Sequence, residues 1–255
     1  GRLLRASLRM GPGLRDFLRR ATLSADDDPG DVRELLLGPL SADESLRLVG
    51  EIIRGERLGR IDAATLLKEG HGHPLFLTQL AHRALAGEAA AAPDLPAALW
   101  DTVRAQPVEA RQLIEVVSLA AGAVAQEVAA RAAGLDAAQL ARATASLRAS
   151  HLVRTTGSRL EDAVEPYHDQ VRAAVLDHLP PDEQRRHHRA LAETLTARAR
   201  PDAHALHLHW LGAGERARAG EAACRAAGEA DALLAFDRAA QLWQRAVELA
   251  DGDDE

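Results

Sequence analysis

Two stretches of the chain place chemistry-bearing residues where backbone groups are left free. The first is Gly70-His71-Gly72-His73-Pro74-Leu75-Phe76-Leu77, two glycines and a proline at the mouth of a segment whose Phe76, Leu77, Leu80, Ala81, Ala84 and Leu85 recur with helical spacing. Gly70 is expected to end the preceding helix in a left-handed cap. Gly72 is expected to let the backbone come close to a ligand, and Pro74 to take the first helical position, where a missing N–H costs nothing. Taken alone, the stretch also reads as a plain corner between two helices. The second is Pro166-Tyr167-His168-Asp169-Gln170-Val171-Arg172. Here Val171, Ala174, Val175 and Leu179 define an amphipathic helix, which puts His168 at or beside a helix start, where unpaired N–H groups and the dipole attract anions. Capping or core packing is the other role open to this histidine.

Other chemistries find less support. His204, His207 and His209 raise the question of a metal, but His209 leaves the helix face that the other two share, and no acidic partner follows at zinc-site spacing. No G-x-x-x-x-G-K-[ST] loop is present to cradle phosphates, and no His-Arg-Asp or Asp-Phe-Gly motif of a kinase. Without a nucleophile turn such as G-x-S-x-G, a scattered Ser, His and Asp make no triad. The chain alone is therefore expected to be catalytically inactive.

The 255 residues have room for one large or two to three small domains, and a hydrophobic content of 47% can fill real cores. Alanine supplies much of that fraction and aromatic residues only 3%, so an α-rich protein with closely stacked helices is expected. A net charge of -7 argues against a general nucleic-acid binder. Cys224 is the only cysteine, which excludes an internal disulfide or a cysteine-based zinc site and fits a reducing, cytoplasmic setting. No apolar run approaches the ~18 residues of a membrane span, and no secretory signal core follows the start. The pattern at both ends reads as an internal piece of a longer protein.

In chain order, Leu3 to Arg9 reads as a short strand, Leu14 to Ala21 as a helix, and Val32 to Leu37 as a strand broken by Gly38-Pro39. Ser41 and Glu44 form a capping box ahead of a helix with Leu46, Val49, Ile52 and Ile53 on one face. Helices follow at about 61 to 69 and 74 to 88, then an alanine-rich loop from Ala89 to Pro96. Helices at about 96 to 105 and 107 to 121 lead to Val124 to Ala133, a turn at Gly134, and a helix opened by Asp136 with Gln139 at the capping position. Leu152 to Arg154 and Leu160 to Val164 suit a hairpin, so helix, turn, helix and hairpin together describe a winged helix. Its five arginines (131, 142, 148, 154, 159) are balanced by Glu127, Asp136, Glu161, Asp162 and Glu165, and a neutral wing is poor at phosphate binding. Pro180-Pro181 stops the next helix. Asp182 to Arg198 follows as another, on which Arg185, Arg186, His187, His188 and Arg189 read as a solvated face. Gly214 to Ala250 reads as an alanine-rich helical hairpin.

Gly72-His73-Pro74-Leu75-Phe76-Leu77 resembles the G-x-P motif of STAND-type ATPases, the signalling branch of the AAA+ proteins, and other stretches resemble the same family. Leu3 to Arg9 is similar to the strand after the Walker B strand, and Leu37 to Glu44 to the Leu-x-Pro-Leu-Ser-x-x-Glu passage into the helical lid. Tyr167-His168-Asp169 is similar to the Met-His-Asp motif, with tyrosine in place of methionine. His209 to Ala219 and Leu234 to Ala240 resemble the tetratricopeptide-like region that follows the ATPase in large bacterial serine/threonine protein kinases. The resemblance implies a mainly α fold: the end of a P-loop ATPase α/β core (residues 1-40), a helical lid (41-95), a winged helix (96-167), connecting helices (168-200) and the start of tetratricopeptide-like α-hairpins (201-255). It also implies an adenine nucleotide, ATP or ADP, with magnesium in the parent protein. Arg9 would sense the terminal phosphate, Gly72 and Pro74 would lie against base and ribose, and His168 would touch the ADP β-phosphate in a closed, inactive state. The function implied is regulatory, coupling the nucleotide state of the parent to an output domain, a serine/threonine kinase, with protein partners on the repeats. A fragment of an ATP-dependent transcription regulator, its DNA binding elsewhere in the parent, and a helical interaction scaffold are the alternatives.

Overall fold

The computed structural model describes residues 38–53, 63–85, 95–120 and 122–250. Within them the chain is mainly helical, with twelve helices and one small three-stranded sheet. The expected strands at Leu3 to Arg9 and Val32 to Leu37, and Arg9 itself, lie outside the described residues.

Helix α1 (Ala42–Ile52) starts where its sequence signal places it. Glu44 N–H donates to the Ser41 hydroxyl while the Glu44 carboxylate accepts from Ser41 N–H at 2.8 Å, so two orphan donors are satisfied reciprocally. The bond from Ser41 N–H, with a second that the Ser41 hydroxyl donates to the same carboxylate at 2.7 Å, holds the Glu44 carboxyl below its ordinary pKa. Helices α2 (Ala63–Gly70) and α3 (Pro74–Leu85) pack with α1 around Val49, Ile53, Leu66, Phe76, Leu77, Leu80 and Ala81. Leu77 and Leu80 are fully buried, each contributing about 1.5–3 kcal/mol of hydrophobic stabilisation.

The second core is larger. Helices α4 (Leu95–Arg104), α5 (Val108–Leu119), α6 (Gln126–Ala133) and α7 (Ala137–Ala149) enclose Leu99, Leu113, Ile114, Leu147 and Val164. Gly134, at φ 70, ends α6 in a left-handed cap, and Asp136 and Gln139 form the second capping box at the start of α7. Three short strands, β1 (Val124–Ala125), β2 (Val153–Thr155) and β3 (Ala163–Pro166), pair antiparallel in the order β1-β3-β2. Val124 and Ala125 were expected to begin the helix that α6 forms. Instead Val124 pairs with Val164 and Ala125 with Ala163, and the helix starts at Gln126.

Helix α8 (Asp169–His178) leaves the sheet, and His178 stacks on Trp100 of α4 with ring centroids 4.4 Å apart. Pro181 opens α9 (Pro181–Thr196) at the position a proline suits. Helices α10 (Ala203–Gly212), α11 (Arg216–Ala232) and α12 (Phe236–Ala250) close the described chain. Ala219, Ala222, Ala223, Ala226, Ala227 and Ala230 of α11 are all buried, and these small side chains let its neighbours on either side come close.

The solvated face expected on α9 is corrected at two residues. His187 is buried and its Nε2 lies 3.1 Å from the Glu115 carboxylate of α5. His188 Nδ1 lies 2.9 Å from His209 Nδ1 of α10. The cluster of arginines around these histidines hides an inward stripe, His187 and Leu191 one turn apart.

Candidate functional site

The loop from Gly70 to Pro74 and the start of α8 are distant in sequence, and the fold brings them together. The His73 and His168 rings stand nearly perpendicular, 77° apart, with centroids separated by 6.5 Å. Each histidine precedes a helix and caps it with its ring. His73 Nδ1 accepts from Phe76 N–H at 3.4 Å in the first turn of α3, and His168 Nδ1 accepts from Gln170 N–H at 3.1 Å in the first turn of α8. A lone pair used this way puts the proton of the neutral ring on Nε2. The site therefore presents two Nε2–H donors beside the first turns of two helices, the polarity an anion seeks.

Pro74 takes the first position of α3, as its spacing predicts. The glycines act differently from expectation. Gly70 does not form the left-handed cap. That conformation falls on His71 at φ 45 and Gly72 at φ 69, while Gly70 ends α2 with Leu77 pressed against its Cα, leaving no room for a Cβ. Gly72 is buried, and the close approach it permits is taken by the chain itself: Leu40 N–H donates to the Gly72 carbonyl at 2.8 Å, and a Cβ here would meet the Leu40 carbonyl. The Pro39-Leu40 segment ahead of α1 thus shapes the loop from behind.

Of the candidate residues, Gly72, Pro74 and His168 meet in one region, and Arg9 lies outside the described residues. His73 was not among them. Its signal was available, since a polar residue immediately before a helix-opening proline stands at the N-cap. Beside this pair, His82 at the end of α3 faces His151 with centroids 5.3 Å apart, and the Tyr167 ring meets His151 edge-on at 5.6 Å. Burial and the neighbouring His151 push the His82 pKa down.

The histidines further along do not converge. His207 Nδ1 lies 3.0 Å from the Ala219 carbonyl, whereas His209 turns to His188. No group of three metal-ligating side chains comes together among the described residues. Among the described residues, no helix is long and apolar enough to cross a membrane. Two arginines of the wing are paired within it, Arg154 with Glu165 at 2.9 Å and Arg159 with Glu161 at 3.8 Å, and Glu127 pairs at 2.9 Å with Arg198, just past the end of α9.

Comparison with known proteins returned no match among protein-family models, curated proteins or solved structures.

Proposed function

We propose that this chain is the regulatory segment of a STAND-type ATPase, in which an adenine nucleotide is held between the Gly72-His73-Pro74 loop and His168. The observation that carries the reading is the meeting of His73 with His168, because each stretch was singled out separately for features suited to a nucleotide. Two Nε2–H donors at helix starts fit a phosphate oxygen, and the exposed Pro74 ring offers an apolar surface to a base. Bound nucleotide would supply the negative charge that these donors orient. The triphosphate cradle and the magnesium ligands belong to the parent's phosphate loop.

On this reading α1 to α3 are the lid, and α4 to α7 with the β1-β3-β2 sheet are the winged helix, an assignment supported by the antiparallel pairing of β2 and β3 and by the return of β1 onto β3. Helices α11 and α12 begin a tetratricopeptide-like array. The nucleotide stabilises the closed arrangement of lid and winged helix by as much as it prefers that state. Release opens it and raises the output, which we assign to a serine/threonine kinase from the resemblance at His209 to Ala219 and Leu234 to Ala240.

The test uses a longer protein that includes the phosphate loop. His168→Ala removes one contact to the anion, on the order of 1–3 kcal/mol, which corresponds to about 5- to 150-fold in ADP affinity. Faster ADP release and higher basal output are expected. Arg185→Ala, exposed on α9, is the control. Equal ADP release from the variant, the control and the parent would reject the reading.

A further inference from the structure

The contact between α3 and the end of α7 is built from polar groups in an otherwise apolar setting. Gln79 of α3 is fully buried; its amide donates to the Ser150 carbonyl at 3.4 Å, and its carbonyl accepts from the Thr102 hydroxyl at 3.2 Å. One helical turn further along α3, His82 meets His151, the residue after Ser150. His151 is held in the left-handed region at φ 52, its N–H donating to the Arg148 carbonyl at 3.1 Å where α7 ends, so its ring is presented from a fixed turn. His82 Nε2 is buried and has no hydrogen-bond partner.

The charged and titratable groups around this pair give a proton no compensation. Arg83, next to His82, is already cationic and ion-paired with Asp101 of α4 at 2.8 Å. On the other side Tyr167, at the end of β3, meets His151 with its ring. A positive charge on His82 would stand beside a second imidazole, on a half-buried ring whose Nε2 is shut off from water and has no hydrogen-bonded carboxylate, and partial desolvation disfavours that charge. Separating α3 from the end of α7 lets water reach the buried Nε2.

We propose that the His82–His151 contact is a proton-operated latch, closed when His82 is neutral and released when His82 is protonated, which frees α3 from the turn that ends α7. Proton uptake by His82 is the whole of the chemistry, and the bond that gives way is the neighbouring one from the Gln79 amide to the Ser150 carbonyl. The latch goes beyond the nucleotide reading and does not need it, since it is tested without nucleotide.

The experiment measures the distance between labels on Lys68→Cys in α2 and Arg142→Cys in α7, both exposed, in the full chain carrying Cys224→Ser. Spectra at pH 7.5 and pH 5.5 are compared for this background, for His82→Phe, and for His151→Asn, which keeps a side chain suited to positive φ. Far-UV circular dichroism follows the helices in parallel. The expected result is a longer or broader distance at pH 5.5 in the background, and loss of that response in both variants, with helical signal retained. A pH-independent distance in the background, an unchanged response in the variants, or unfolding of all three proteins over the same interval would overturn the latch. Failure of ADP binding alone would leave these distances unaffected.

Discussion

His188 Nδ1 and His209 Nδ1 are 2.9 Å apart across the α9–α10 contact, so one of them must carry the proton and the other accept it. The neutral pair already holds one proton between the two Nδ1 atoms, and a second proton there would set two N–H groups against each other. Burial, more than the neighbouring His188, pushes the His209 pKa down to about 4, and burial lowers that of His188 as well. The folded state then binds fewer protons than the unfolded chain between about pH 6.5 and 4, so stability falls as the pH falls through that window. His209 by itself accounts for about 2 kcal/mol of loss between pH 7.5 and pH 5. Urea unfolding at the two pH values should register that loss, and His209→Phe should flatten it. A stability independent of pH would contradict the buried neutral pair.

The contact between His187 and Glu115 leads to a different expectation. Only a small fraction of the His187 ring reaches solvent, and its Nε2 is 3.1 Å from the carboxylate. His187→Ala removes this partner and leaves a hole between α5 and α9, a cost of about 1–3 kcal/mol. Arg185→Ala, on the exposed side of the same helix, should change stability by less than about 0.5 kcal/mol. Thermal unfolding of the two variants separates them, and equal midpoints would mean that the histidine face is as solvated as the sequence pattern suggested.

What could be read from the sequence was local. Both capping boxes, Pro74 at a first helical position and the turn at Gly134 formed where residue types placed them, because each depends on neighbours within four positions. Val124 and Ala125 were misread because two residues carry no period, and their strand exists only through β3, far along the chain. His187 was hidden for a related reason: three arginines nearby made the face look wet, while its partner Glu115 sits on a helix that no periodicity links to it. At the candidate site, the helix start at His168 was legible and the approach of His73 to it was not, since that depends on how α3 and α8 are packed.

The glycines give a ranked prediction. Gly72→Ala must hold an alanine at φ 69 against the Leu40 backbone and should cost about 2 kcal/mol or more. Gly70→Ala meets only the Leu77 side chain, but in a filled core, where overpacking costs about 1–3 kcal/mol. Gly50→Ala in α1 has open space and should stabilise by about 0.5–1 kcal/mol. Chemical denaturation that returned the reverse order would refute this account of the loop.

DNA affinity tests the neutral wing. Five carboxylates balance its five arginines, and Arg154 and Arg159 are paired with Glu165 and Glu161, so the wing carries no net positive charge toward phosphates. Titration with random duplex at moderate salt should show binding no tighter than the non-specific range, about 10⁻⁴ to 10⁻⁶ M. Sequence-selective retention in a mobility-shift assay would favour a DNA-binding output.

The last prediction separates a shared anion from two unrelated helix caps. If His73 and His168 each donate from Nε2 to one phosphate, removing either ring weakens the geometry on which the other depends, and their effects on ADP release are coupled. In the longer protein, His73→Ala and His168→Ala should each speed ADP release, and the double variant should speed it by less than the product of the two single effects. An interaction energy of about 0.5–3 kcal/mol is the scale for groups acting on one ligand. As caps alone they would act on α3 and α8 separately, each costing about 0.5–2 kcal/mol of stability and leaving ADP release unchanged. Measuring stability and ADP release on the same four proteins tells the two cases apart. Independent effects on release would mean that the rings meet at 6.5 Å without serving a common ligand.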